Sequence, residues 1–200
     1  MPDTRRSLPV AQAAVRVRRD AAANADRVLA AAMRLVQAGG VDTLTMDRVA
    51  AEAGVGKGTV FRAFGNRSGL LAALTDETER EFQQAFLSGP PPLGPGAPPL
   101  DRLLAYGEGR LGLQRVHGAI FRAMHGTPID RFEVPARKVS VTHVRMLLRQ
   151  CGIDDALDVI TEAVLGPLDS DTAYHLSVER GLGRERLVDD WKTMVRRLVD

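Results

Sequence analysis

The chain has 200 residues, 44% of them hydrophobic, 26% charged and only 4% aromatic, and its net charge is +2. That length allows one sizeable domain or a small one joined to a larger one, while a single cysteine, Cys151, excludes an internal disulfide or a cysteine-built metal site and points to a reducing compartment. No apolar signal region follows the first arginines and no unbroken apolar run reaches membrane-spanning length, so the expected setting is the cytoplasm, with no membrane partner.

Alanine and leucine dominate, and β-branched runs with period-two alternation are hard to find, so the expected fold class is all-α. Residues 1–20, with Arg5, Arg6, Arg16, Arg18 and Arg19 among small residues, read as a basic arm. Residues 21–88 read as a first helical domain. Val28, Leu29, Ala32, Leu35 and Val36 share one helical face, and Gly39-Gly40 ends that helix. Thr45 is the expected N-cap of a short helix ending near Ala53, with Val49, Ala50 and Ala53 inward. Gly54 then makes a tight turn. A second short helix runs from about Gly56 to Phe64, with Val60 and Phe64 inward, and Gly65 stops it. Asn66 caps a longer helix that carries Leu70, Leu71, Leu74, Thr78 and Phe82 on its inner side and ends near Ser88.

The stretch GPPPLGPGAPPL that follows cannot continue a helix, because prolines lack the donor and clash with the preceding turn. Residues 89–99 read as a semi-rigid linker, a proline-rich ligand for an SH3-like module being the sharper alternative. In the body, residues 100–200, Leu100, Leu103, Leu104 and Leu111 predict one helix, weakened by Gly107, Gly109 and Gly112; Val116, Ile120, Phe121 and Met124 predict another. Pro135 opens a helix through Val141, Val144, Leu148 and Cys151, and Gly152 stops it. Asp154 is the expected cap of the next, with Leu157, Ile160 and Val164 inside; Gly166-Pro167 interrupts it and Asp169 restarts it through Tyr174 and Val178. The last helix carries Leu187, Trp191, Met194, Val195 and Leu198.

The chemistry concentrates in AGVGKGTVFRAFG, residues 53–65, where glycines alternate with valine and lysine as in a phosphate cradle. A nucleotide P-loop would need glycine at Ala51 and a hydroxyl at Gly58, after a strand; a dinucleotide fingerprint would need glycine at Thr59. Both fail. Two short helices about a glycine turn instead form a helix-turn-helix, whose second helix presents free N–H groups to phosphate, with Gly56 and Gly58 allowing close approach. Charge agrees: residues 1–70 hold 11 Lys+Arg against 6 Asp+Glu, and the remainder 16 against 19. A basic head on an acidic body fits a polyanion partner, although an uneven solvated surface gives the same count.

LTMDRVAAEAGVGKGTVFRAFGNRSGLLAAL closely resembles the DNA-binding segment of the TetR family of transcriptional regulators, through Leu44, Thr45, Val49, Ala50, Ala53, Gly54, Val55, Gly58, Thr59, Val60, Phe64, Asn66, Arg67 and Leu70. The resemblance covers about residues 18–75; beyond them it extends only to helicity and length. Gly56 stands where the family has serine, Phe61 where it has tyrosine, and Ala63 where it has histidine or tyrosine. The resemblance implies that Thr45 caps the first motif helix and touches a phosphate, that Lys57 and Arg62 read base edges or phosphates, and that Thr59 and Arg67 contact phosphates. Phe61 has no hydroxyl to donate and meets either a thymine methyl or its own helix neighbours. Arg16, Arg18 and Arg19 reach a minor groove or remain solvated.

The resemblance further implies a homodimer on a near-palindromic double-stranded DNA operator, paired through segments 154–180 and 184–199, with Val164, Leu165, Tyr174, Leu187, Trp191, Met194 and Leu198 as contacts. The middle helices would enclose a small-molecule effector, with Tyr106, His117, Phe121, Met124, His125, His143 and Met146 around it. Each of these residues also fits plain core packing. His117, His125 and His143 lack metal-ligand spacing, and neither a metal nor a cofactor is expected. His117 and Cys151 supply no nucleophile motif, so an enzyme is not expected. The alternative function is a constitutive helix-turn-helix protein without a ligand, which would have no enclosed cavity in its body, whereas a sensor would have one lined by the middle helices.

Overall fold

The computed structural model describes the backbone over residues 9–123 and 135–199, and side chains from Arg19 onward except at 115–117, 119 and 121–134. The described residues are helical, without a strand. They form α1 (Pro9–Gly39), a 3-10 turn (Val41–Thr43), α2 (Met46–Ala53), α3 (Lys57–Phe64), α4 (Arg67–Ser88), α5 (Pro99–Ala123), α6 (Pro135–Gln150), α7 (Leu157–Leu165), a 3-10 turn (Gly166–Leu168), α8 (Ser170–Tyr174), a single π turn (His175–Glu179) and α9 (Arg184–Val199). The chain divides into two compact units, Met1–Leu74 and Thr75–Asp200.

In the first unit α1 starts at Pro9, not at Ala21. The segment read as an arm is rich in alanine and arginine, both strong helix formers. Val28, Ala31, Ala32 and Val36 of α1 are buried with Leu44, Val49, Val60, Leu70, Leu71 and Leu74. Each buried valine or leucine among them contributes about 1.5–3 kcal/mol relative to exposure. Small residues at 31, 32 and 50 let the short helices lie close to α1.

The second unit is built around α5, which packs on α6, α8 and α9, with α7 against α6. Its core holds Phe82, Phe86, Leu103, Tyr106, Leu111, Val144, Leu147, Leu148, Leu168 and Val195 among others. The two helices expected from Leu100 to Met124 are one. Glycine is there for space. A Cβ on Gly107 would lie 2.1 Å from the Trp191 ring, and one on Gly109 would lie 2.7 Å from Phe82. The helix gives up propensity so that two aromatic rings can lie on its backbone.

Of the residues expected at a dimer contact, four take the core packing that the sequence left equally open. Val164, Leu165, Leu187 and Trp191 are buried in the chain's own core, and the Trp191 indole N–H donates to the Val164 carbonyl at 2.9 Å. Met194 packs half-buried on that core, Tyr174 is half-buried, and Leu198 is exposed. The exposed apolar side chains nearby are Val159, Val178 and Leu182.

Residues 89–98 are not a linker between units, because they lie inside the second one. They turn back on themselves: the Gly94 N–H donates to the Pro90 carbonyl at 2.9 Å, and Leu93 packs against the core. Nor does Asp154 cap α7. The residue before that helix is Ala156, in the left-handed conformation at φ 52°. Asp169 does stand at the N-cap position of α8, with its carboxylate accepting from Arg137 at 2.6 Å.

Candidate functional site

The first unit presents α2 and α3 as a helix-turn-helix. Thr45 caps α2 as expected, its hydroxyl accepting from the Arg48 N–H at 3.2 Å. Gly54 closes the helix at φ 64°, ψ 36°, a left-handed position where a β-carbon is strained, and its N–H and that of Val55 return to carbonyls of the last turn. Gly56 is the N-cap of α3 and no side chain caps that end. The N–H groups of Lys57 and Gly58 have no intrahelical acceptor by the geometry of a helix start, and both residues are exposed.

The two glycines here differ in kind from Gly54. Neither Gly56 nor Gly58 has positive φ; a Cβ on Gly58 would meet nothing within 4 Å, and one on Gly56 only Thr59 Oγ1 at 3.9 Å. The fold requires neither of them, and Gly58 costs α3 helix propensity. Their bare backbone suits an object outside the chain.

Around that end, Lys57 is exposed but occupied. Its ammonium lies 2.7 and 2.9 Å from the two oxygens of Asp47 and 5.9 Å from the centre of the Phe61 ring. Phe61 is 41% exposed, so it is a surface ring rather than core packing. Arg62 is exposed and pairs with no acceptor among the described residues, and Thr59 is half-buried beside them. Arg67 points the other way. Its guanidinium donates to the carbonyls of Leu44 at 2.9 Å and Val41 at 2.8 Å, fastening the start of α4 to the turn before α2. Two of its five N–H groups are thus committed within the head, which makes it a positioning residue. Arg16 and Arg18 have no described side chains; Arg19 is exposed on α1.

In the second unit, a cleft of about 550 Å³ opens between the end of α4, the 89–98 loop, α5 and α6. Its lining is Leu87, Pro95, Arg102, Lys138, Val139, Thr142, His143 and Met146. His143 is buried, with its ring 4.4 Å from Phe86 and 5.6 Å from Tyr106, centre to centre. Burial, and then the Arg102 charge, push its pKa down to about 4, so the imidazole is neutral at pH 7. Among the described residues its Nε2 is buried without a hydrogen-bond partner, as is Arg102 Nε. Tyr106 lies behind it, fully buried, its pKa raised by burial against the opposing effects of Arg110 and Ser140.

The structure therefore brings together three of the residues expected around an effector: His143 and Met146 on the cleft wall and Tyr106 behind it. The backbone of His117 and Phe121 belongs to α5, with undescribed side chains, and Met124 and His125 lie outside the described residues. Sequence reasoning missed Arg102, Lys138, Ser140 and Thr142. A signal existed: Arg102 precedes Tyr106 by four residues and Ser140 precedes His143 by three, which puts each pair on one helix face. It also missed Asp47, whose ten-residue separation from Lys57 carries no periodic cue. Among the described residues no group of three or more His, Cys, Asp or Glu is placed to hold a metal, and no helix is long and apolar enough to cross a membrane.

Residues 28–74 match the family model TetR_N, that of the bacterial regulatory proteins of the tetR family. No curated protein sequence matches the chain. Similar solved structures include a Clostridium perfringens protein named as a candidate fatty acid metabolism regulator, at 15% identity and TM-score 0.50, over 84% of this chain and 96% of that one. Another is the regulatory protein TetR from Rhodobacter sphaeroides, at 20% identity and TM-score 0.50, over 87% and 95%. At these identities they show a shared fold.

Proposed function

We propose, from the match of residues 28–74 to the TetR_N model, that the chain is a DNA-binding transcriptional regulator of the TetR family, a cytoplasmic repressor that binds a near-palindromic operator as a homodimer and leaves it when a small molecule enters the body. The observation that carries the DNA reading is the start of α3: exposed residues with open N–H groups, and two glycines that no contact among the described residues demands. A phosphate is favoured there by the helix dipole and the open donors. Lys57 and Arg62 flank it, with Phe61 offering an apolar face to a thymine methyl. Thr45 and Thr59 serve as phosphate neighbours, and Arg67 keeps the head in register for them.

One such motif binds weakly; two, about 34–36 Å apart on one face of the duplex, read both halves of a palindrome. For the pairing of copies we look to exposed Val159, Val178, Leu182 and Leu198 rather than to the buried Trp191 set. What supports the sensor reading is the imidazole nitrogen of His143, buried and unpartnered among the described residues; the cleft that His143 lines is open rather than enclosed. α4 starts with Arg67 in the head and ends beside the cleft at Leu87, one continuous helix. Coupling of this kind is reciprocal: an effector that weakens operator binding tenfold is itself bound tenfold more weakly by the operator complex.

Selection of bound fragments from a random duplex pool tests this. The expected result is an enriched near-palindrome, bound by two chains, that Arg62→Ala binds with relaxed preference at one position per half. A chain that stays single and enriches no duplex sequence would refute it.

A further inference from the structure

The cleft has a chemical bias that extends the effector reading and rests on it. Among the described residues its lining contains two cationic side chains, Arg102 and Lys138, and no carboxylate. Among the described residues no acid pairs with Arg102; one of its terminal nitrogens reaches only the Phe86 carbonyl, at 3.4 Å, and its Nε is buried with no partner. His143, from α6, lines the same cleft and adds a second buried nitrogen without a partner among the described residues. A buried polar atom left unsatisfied costs about 1–3 kcal/mol, so two in one cleft favour a ligand that supplies their partners. The rest of the lining is Leu87, Pro95, Val139 and Met146, with the Thr142 hydroxyl donating internally to the Lys138 carbonyl at 2.9 Å.

We propose that this cleft binds a small organic carboxylate with an apolar body, its acid group held by Arg102 and His143 with Lys138 at the rim, its hydrocarbon part against Leu87, Pro95, Val139 and Met146. A guanidinium offers the planar pair of donors that a carboxylate accepts. A neutral imidazole donates or accepts through Nε2 without adding a charge beside Arg102, and it completes the acid's second oxygen. The cleft volume, about 550 Å³, lies within the ~300–1,000 Å³ typical of small-molecule sites.

The test uses the full chain, without DNA, and titrates octanoate and phenylacetate against octanol and phenylacetamide by calorimetry. Saturable binding of at least one acid, tenfold or more tighter than its neutral counterpart, is expected. Arg102→Met should weaken that acid at least tenfold and erase the preference. Because Arg102 also touches the Phe86 carbonyl, Lys138→Met, at an exposed position, serves as a second variant and should weaken it threefold or more. Neutral compounds binding as well as the acids, no acid binding at millimolar concentration, or both folded variants binding like the parent would overturn the proposal. Duplex binding measured separately distinguishes the two readings. Acids that bind but leave duplex affinity unchanged refute the effector role while supporting the site. Neutral compounds that alone release the duplex refute the site while the regulator stands.

Discussion

Replacing Gly58 by alanine should strengthen the fold and weaken the function. Gly58 is the second residue of α3, exposed, with no positive φ and open space where its Cβ would go. Alanine is better than glycine by about 1 kcal/mol in a helix interior; in a first turn about half of that is expected, or about 0.5 kcal/mol. For a chain of this length such a gain raises the melting temperature by about 1–2 °C. Against a duplex the added methyl separates the helix start from a phosphate. Losing one hydrogen bond to a charged group costs about 1.5–3 kcal/mol, which is at least tenfold in affinity. Scanning fluorimetry reads the first quantity, and fluorescence anisotropy on the selected duplex reads the second. A variant that melts lower would show that the fold needs this glycine. One that melts higher but binds within threefold of the parent would show that no duplex approaches Gly58. Either result refutes the reasoning.

Gly107→Ala should do the reverse, losing about 1–3 kcal/mol by overpacking against a Trp191 ring that its bond to Val164 holds in place; a melting temperature at or above the parent's would contradict this. His143, with its pKa at about 4 in the folded chain and about 6.5 unfolded, binds fewer protons folded than unfolded between those values. Its contribution is therefore whole above pH 6.5 and is lost as pH falls toward 4, by about 2 kcal/mol at pH 5. Urea unfolding at pH 7 and pH 5 should show that loss in the parent and not in His143→Gln. Asp47→Asn releases Lys57 from its exposed carboxylate partner and should tighten duplex binding threefold or more with a steeper salt dependence; unchanged affinity at low salt would show that Lys57 faces no phosphate.

The head was legible because its punctuation is local. Thr45, Gly54, Gly65 and Asn66 each act within a few residues, as cap or turn, and each stands where the residue type alone placed it. The body was less legible because its deciding contacts are distant in sequence. Gly107 reads as a weak point until Trp191, 84 residues later, is seen to occupy the space it leaves. The same distance hid the burial of Val164 and Leu187, whose apolar character fits an outer face and an inner one equally well. Arg67 matched a motif position, but only coordinates reveal that its donors turn inward to Leu44 and Val41.

That inward turn has a mechanical consequence. A screw motion of α4 about its own axis cannot leave the recognition element behind, because two bonds from Arg67 drag the entrance of α2 with it, and α2 is joined to α3 through the tight corner at Gly54.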